Sequence, residues 1–243
     1  MVENLFPHIE KRILYEDNHL VAILKYPGEI VQGDKSGDIS MRDTIKQYLK
    51  VRDHKPGNVF CGVIHRLDRP VSGVVLFAKT SKGLARMNKL LQKRDIKKTY
   101  WTLVRNSLIA KEGTIEGFFK KVSKLNKSYF FNIQVKGSQK GVLNYRTLQS
   151  FQSFHLLEIE LLTGRHHQIR ASLAALGSPV AGDVKYGDRR SFNDRSIALH
   201  ARSIEFIHPV LRQFVKIVAP VPETEIWTRL IANNCDNPAP SIP

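Results

Sequence analysis

The segment at positions 65–73, HRLDRPVSG, places one carboxylate among basic side chains. Asp68 has His65, Arg66 and Arg69 as close neighbours in the chain. Positive neighbours favour the ionised form of a carboxylate, and an ionised carboxylate can act as a nucleophile or as a base. A surface turn held by salt bridges would show the same pattern. Taken alone, the segment therefore leaves both interpretations open.

A second polar cluster lies in the segment 163–176, TGRHHQIRASLAAL, where a strand ends and a helix is predicted to begin. Its polar and basic members are Arg165, His166, His167, Gln168 and Arg170. The helix macrodipole disfavours cations at this end, so a bound anion or a buried carboxylate is needed to explain them. Adjacent histidines lack the i, i+4 spacing of a helical metal site. The cluster therefore favours RNA or a carboxylate partner over a metal.

Tyr100 lies in the segment KKTYWTLV, at positions 97–104, in which a strand is predicted at 99–104. Side chains alternate along a strand, so Tyr100 points away from its neighbours Thr99 and Trp101. Such a tyrosine more often packs in a sheet than takes part in chemistry, although the two preceding lysines suggest contact with RNA. The glycine-containing loop at 182–187 and the segment 199–209 are interpreted mainly as scaffold.

The elements that position these residues follow from the apolar periodicity of the chain. Helices are predicted from Ser40, as N-cap, to Lys50, and at 82–93, 166–176 and 225–232; in the third, Ile169, Leu173 and Leu176 point inward. Strands are predicted at 19–25, 73–79, 99–104, 154–162, 197–207 and 213–219, with a hairpin of 128–135 and 142–150 around GSQKG. This irregular order indicates an α+β fold with a mixed or mainly antiparallel sheet.

The charge of the chain favours a polyanionic partner. Its 38 Lys and Arg residues outnumber 22 Asp and Glu, for a formal net charge of +16, and neutralising phosphates releases bound counterions. The basic residues are spread along the chain and no basic amphipathic helix stands out, which favours nucleic acid over a membrane surface. No apolar run long enough to span a membrane, no signal peptide and no CxxC pair is present, which predicts a cytoplasmic protein without a zinc site.

Together, these segments resemble the RluA family of pseudouridine synthases. The matching motifs, in the order of the family, are HRLD with SG at 65–73, the Tyr100 strand, TGR-x-HQIR at 163–170, GD-x-x-YG at 182–187 and LHA…HP at 199–209. The resemblance implies the pseudouridine synthase catalytic fold, a mostly antiparallel mixed sheet whose helices and loops line an RNA cleft. It also implies isomerisation of uridine to pseudouridine in structured ribosomal or transfer RNA, with no metal and no organic cofactor.

Residue by residue, the resemblance assigns three catalytic positions. Asp68 matches the essential aspartate, Tyr100 the tyrosine that stacks on the target base, and Arg170 the arginine that pairs with the aspartate. Arg66 matches an arginine that enters the RNA where the base has left. The predicted RNA-binding residues are His65, Arg66, Arg69, Arg165, His167 and Gln168. The family often has Thr at Val71, Thr or Ser at His166 and His at Ser172, and these departures bear on RNA preference.

The resemblance predicts one catalytic domain over residues 11–232 and a disordered tail over 233–243. It begins near Lys11, which leaves no room for the N-terminal S4 domain of many relatives, so RNA affinity should come from the basic surface of a monomer. Two other functions remain open. One is an RNA hydrolase with His65 and Asp68 as an acid–base pair, although no second carboxylate or metal cluster accompanies them. The other is a catalytically inactive RNA-binding protein with the same fold.

Overall fold

The computed structural model describes residues 7–34, 37–108 and 110–232. Its strands are β1 Ile13–Glu16, β2 Leu20–Lys25, β3 Gly62–Val63, β4 Ser72–Ala78, β5 Ile96–Val104, β6 Glu112–Val122, β7 Lys127–Phe131, β8 Gln139–Ser150, β9 His155–Leu161, β10 Leu199–Ile207 and β11 Phe214–Val218. Its α-helices are α1 Pro7–Glu10, α2 Met41–Arg52, α3 Ser81–Lys93, α4 Gln168–Ala175 and α5 Glu225–Ala232.

All of these strands join one sheet, in the order β1-β2-β4-β10-β5-β9-β8-β6-β7, with β3 on β4 and β11 on β10. The β4–β10 pair is parallel, and the other pairs are antiparallel. The predicted α+β fold with a mixed, mostly antiparallel sheet is confirmed. Strands far apart in the chain meet at its centre, where β4, β10 and β5 lie side by side.

The centre of the sheet is covered on both faces. Every residue of β4, SGVVLFA, is buried, which explains why its sequence is a continuous apolar run without alternation. Helix α3 packs beside it, with Met87 buried. The predicted N-cap Ser40 is confirmed, since its side chain accepts the N–H of Asp43. Thr80 caps α3, where its side chain accepts the N–H of Gly83.

The predicted hairpin of 128–135 with 142–150 is wrong. Strands β7 and β8 do not pair with each other, because β6 lies between them and pairs with both. The sequence analysis did not identify β6, whose sequence EGTIEGFFKKV is interrupted by glycine. Gly117 is required there, since a Cβ at this position would lie 2.3 Å from the Phe130 ring on β7.

The helix predicted at 166–176 is shorter than expected. It begins at Gln168, because His167 has a left-handed backbone with φ of 53°. It ends at Ala175, and Leu176 is 48% exposed, so the prediction that Leu176 points inward is wrong. The predicted tail at 233–243 lies outside the described residues. Within the described ranges, no helix is long and apolar enough to cross a membrane.

Candidate active site

A cleft of about 1110 Å³ opens over the central strands. Its walls come from the loop between β3 and β4, the start of α4, and the tip of the β6–β7 hairpin, while β5 contributes Lys98 and Tyr100. The cleft-lining cations are Arg66, Arg69, Lys98, Lys121, Arg165, Arg170 and Lys185, against the carboxylates Asp34 and Asp68. The fold therefore gathers basic side chains from distant parts of the chain around Asp68.

The contacts of Asp68 with Arg170 and His167 are made through one carboxylate oxygen. Its Oδ2 lies 3.0 Å from Nη1 of Arg170 and 3.5 Å from Nε2 of His167, and the side chain remains 28% exposed to the cleft. The prediction that Asp68 and Arg170 lie within salt-bridge reach is confirmed, across 102 positions of sequence. The ion pair fixes the orientation of the Asp68 carboxylate.

A buried lysine holds the loop that carries Asp68 by hydrogen bonds to its backbone. The side chain of Lys25 is fully buried and its Nζ donates to the carbonyls of Tyr26, Arg69 and Val71, at 3.0, 3.0 and 2.6 Å. These three bonds use all the donors of the ammonium group. Burial lowers the pKa of Lys25 to about 7, with the charges of Glu29 and Asp68 acting against that shift.

Arg170 also binds a second carboxylate, which the sequence analysis assigned to scaffold. Asp183, in the loop after α4, is 2% exposed and accepts from Nε and Nη2 of Arg170 at 2.6 and 2.9 Å. Burial lowers the pKa of Arg170. The hydrogen bonds to Asp183 and the charges of Asp183 and Asp68 raise that pKa by more, so it lies above its ordinary value. The guanidinium thus stays charged and holds the two loops together.

A second acceptor for Arg170 could have been anticipated from the number of its donors. A buried guanidinium carries five N–H groups, which is more than the single predicted contact with Asp68 can satisfy. That count implies a second buried acceptor, but it does not identify which carboxylate supplies it.

Tyr100 is buried to 7% exposure and lines the cleft from β5. Burial raises the pKa of its phenol, and the negative charge of Asp68 raises it further. Tyr100 therefore presents a neutral, protonated phenol to the cleft at physiological pH. An aromatic ring in this position can stack on an unstacked base.

Two histidines near Asp68 are neutral. Burial, followed by the charge of Lys98, lowers the pKa of His65 to about 3, and its Nε2 accepts the backbone N–H of Leu76 at 3.1 Å. Burial and then the charge of Arg170 lower the pKa of His167 to about 2. The acceptor nitrogen of His65 is thus occupied by a hydrogen bond from strand β4. It does not form the acid–base pair with Asp68 that an RNA hydrolase would need.

Tyr186 connects the β6–β7 hairpin to the Asp68 side of the cleft. Its hydroxyl accepts the N–H of Ser128 at 2.8 Å and lies 3.0 Å from Nδ1 of His167. Ser128 Oγ lies 2.8 Å from Nδ1 of His166, whose ring stacks on that of His167. The hairpin wall and the start of α4 are therefore joined by a continuous set of hydrogen bonds.

The remaining predicted RNA-binding residues differ in their surroundings. Gln168 is buried, and its side chain bonds to Thr163 and to backbone groups, which fixes the turn before α4. Arg165 donates to the Lys140 carbonyl at 2.7 Å, and Arg69 binds Asp38 at 2.6 Å. Arg66 is exposed at the cleft. RNA contact by these residues stays a prediction.

Comparisons with known proteins cover most of the chain. A family model described as RNA pseudouridylate synthase matches residues 19–175. The uncharacterized RNA pseudouridine synthase YhcT of Bacillus subtilis is 32% identical over 88% of this chain and 69% of its own length. The ribosomal large subunit pseudouridine synthase D of Xanthomonas campestris is also 32% identical, over 88% of this chain and 67% of its own length.

Two further matches extend over nearly all of both chains. The tRNA pseudouridine synthase C of Vibrio parahaemolyticus is 29% identical over 91% of this chain and 94% of its own length. The structure of human RNA pseudouridylate synthase domain containing 4 has a TM-score of 0.76 at 23% identity, and the match covers 91% of this chain and 93% of that one. This structural likeness shows a common fold.

Proposed function

The chain belongs to the RNA pseudouridylate synthase family, and from that premise we propose that it isomerises uridine to pseudouridine in structured RNA with Asp68 as its catalytic carboxylate. The observation that supports this role is the ion pair of Asp68 with the buried Arg170, in a cleft lined mainly by cations. The names of the relatives indicate ribosomal RNA and transfer RNA as the two substrate classes.

The reaction requires a carboxylate that stays charged beside the sugar and the base. Uracil must leave C1′, turn, and rejoin the ribose through C5, after the nucleotide has left its stack. An ionised carboxylate can serve as a nucleophile or as a proton acceptor in such a reaction. Arg170 would orient Asp68 by holding Oδ2, while the exposed part of the carboxylate faces the cleft.

The cleft also offers groups that would hold the displaced base. Tyr100 supplies a flat aromatic face on which uracil can stack, and burial keeps its phenol protonated. Arg66, which is exposed at the cleft, would occupy the gap that the base leaves in the RNA. Lys98, Lys121 and Lys185 would neutralise phosphates of the bound strand.

We further propose that residues 11–232 act as one catalytic unit, as a cytoplasmic monomer without metal or organic cofactor. No group of three or more potential metal ligands of the His, Cys, Asp and Glu types occurs among the described residues. Activity should therefore survive EDTA when the folding of the RNA is controlled. Loss of activity that added divalent metal restores would contradict this proposal.

The decisive test is to map pseudouridines in total RNA from cells with and without the gene, and then to repeat the assay with Asp68→Asn. The variant keeps the shape of the side chain and removes its charge, so the site modified by the wild type should remain uridine. Asp95→Asn is the matched control, since Asp95 is exposed and does not line the cleft. A folded Asp68→Asn protein that still modifies RNA would reject the assignment, and an absence of any modified site with the wild type would favour an inactive RNA-binding protein.

A further inference from the structure

Helix α3 carries a row of four cations outside the cleft. Lys82, Arg86, Lys89 and Lys93 follow one another at intervals of four, three and four residues and are all exposed. Residues at these intervals lie on the same face of a helix. We call these four residues the α3 stripe. The sequence analysis overlooked it when it found no basic amphipathic helix.

The α3 stripe opposes the stability of its own helix. Like charges four residues apart, as in Lys82 with Arg86 and Lys89 with Lys93, each destabilise a helix by about 0.2–0.5 kcal/mol. Lys82 also lies in the first turn, which has no acidic residue to offset the macrodipole. Across the described ranges, no salt bridge involves any of the four.

Helix α2 shows the usual arrangement. There Arg52 binds Glu16 at 2.7 Å and Asp53 at 2.8 Å, and Asp43 lies in the first turn. Arg52 at the end of α2 is thus accompanied by acids within the protein, whereas each of the four cations of the α3 stripe lacks such a partner among the described residues. A row of like charges that lowers helix stability and lacks acidic partners points to an anionic ligand outside the chain.

The position of α3 relates the stripe to the cleft. Leu91, near the end of the helix, lines the cleft, and the stripe lies on the opposite side of the helix from Leu91 by the helical period. The two surfaces are therefore separated by about one helix diameter, on the order of 10–12 Å. RNA on either side of a nucleotide held in the cleft can reach across that distance.

We propose that the α3 stripe binds the phosphate backbone of a duplex segment that flanks the target nucleotide in the RNA. The proposal rests on the proposed function, because it takes the RNA in the cleft as its starting point. The stripe forms a rigid row about 16 Å long, at 1.5 Å per residue. Duplex RNA is recognised mostly through its backbone and shape, for which such a row of charges is suited.

The chemistry of the exposed face favours a duplex over the other polyanions. Between the cations it presents Ala85, Asn88 and Gln92, all exposed, and it has no aromatic side chain on which single-stranded bases could stack. It also has no large apolar side chain to insert into a membrane, since the apolar side of α3 packs against the sheet.

The test measures binding of an RNA duplex of about 20 base pairs, slightly longer than the span of common duplex-binding domains, by fluorescence anisotropy at several salt concentrations. The stripe variants are Lys82→Gln with Arg86→Gln, and Lys89→Gln with Lys93→Gln. The control is Lys46→Gln with Lys50→Gln, which makes the same charge change at the same spacing on α2. The duplex contains no uridine and cannot be modified, so the result does not depend on whether the protein makes pseudouridine.

In each stripe variant, the plot of log association constant against log salt should become less steep. The magnitude of its slope should decrease by about two, one for each lost phosphate contact. Between 50 and 200 mM salt, the wild type should then lose about 16-fold more affinity than the variant. The control should show less than half of this effect. Equal effects in control and stripe variants would overturn the proposal, because net charge alone would then explain them.

Two further measurements exclude the other polyanions. A single-stranded RNA of the same length should lose less affinity in the stripe variants than the duplex does, and an equal loss would overturn the duplex assignment. Vesicles of phosphatidylglycerol should bind all the proteins alike. Loss of vesicle binding in the stripe variants, with duplex binding unchanged, would instead identify a membrane surface and reject the proposal.

Discussion

Asp68 and Asp183 bind the same arginine but in different ways. Asp183 is almost fully buried and accepts two hydrogen bonds from Arg170, whereas Asp68 accepts one and keeps 28% of its side chain exposed. A carboxylate whose oxygens are both bonded to a guanidinium has little capacity to react. The comparison shows that an arginine partner alone does not identify the reactive carboxylate. Its exposure to the cleft and the smaller number of hydrogen bonds that it accepts from Arg170 distinguish it.

The largest expected effect comes from removing the charge of Asp68. In Asp68→Asn, the single-turnover rate should fall by roughly 10³-fold or more, the scale of losing a catalytic group. The unfolding free energy from urea denaturation should change by less than about 1 kcal/mol, because the amide oxygen of Asn can still accept from Arg170 and Arg170 keeps its ion pair with Asp183. A large loss of stability in this variant would assign Asp68 a structural role like that of Asp183.

Asp183→Asn should reduce the stability of the protein more than its activity, the reverse of Asp68→Asn. It leaves the buried guanidinium of Arg170 without its main counter-charge, and breaking a buried pair costs about 3–5 kcal/mol. The midpoint of urea denaturation should fall sharply, while any protein that remains folded should retain measurable turnover. Normal stability with complete loss of activity would contradict the comparison and place Asp183 in the chemistry.

The neutral histidines provide a test by pH. The pKa values of His65 and His167 are lowered to about 3 and about 2, against an ordinary value near 6.5. The unfolded chain therefore binds more protons than the folded protein as the pH falls below about 6.5. The contribution of the two histidines to the unfolding free energy should be nearly constant above that pH and should fall on acidification, by up to about 1.4 kcal/mol per pH unit for each histidine.

The control for the pH experiment is His167→Gln, which should flatten the acid slope by about one proton. An unchanged slope would mean that His167 is protonated in the folded protein. In that case the charge beside Asp68 would come from two cations, and the comparison with Asp183 would have to include His167.

The smallest effect is expected for Arg66→Ala, which leaves both carboxylate pairs intact. If Arg66 fills the stack that the uridine has left, its loss should slow the modification of structured RNA more than that of a short unstructured oligonucleotide with the same site. Base flipping costs less where the base is already unstacked. Equal losses on the two substrates would show that Arg66 supports the Asp68 loop and does not replace the base.

Elements with a strong apolar pattern could be predicted from the sequence, whereas an element whose place depends on long-range strand pairing could not. Strand β4 was identified from its continuous apolar run, and helix α3 from apolar residues that recur at the helical period. Strand β6 was missed, because glycines interrupt its pattern and its partners are chosen by the whole sheet. The pairing of Asp68 with Arg170 came from a family resemblance, whereas Asp183 is visible only once the loop after α4 is folded.

The two carboxylates also differ in how far along the chain they lie from Arg170. Asp183 is 13 positions away and Asp68 is 102. Closing the longer loop costs about 1.8 kcal/mol more chain entropy, by the logarithmic dependence on loop length. The Arg170–Asp183 pair can therefore form from a local segment, while the Asp68 contact requires most of the sheet to be assembled. In a refolding experiment, recovery of activity would consequently report completion of the fold, whereas formation of α4 and its following loop would not.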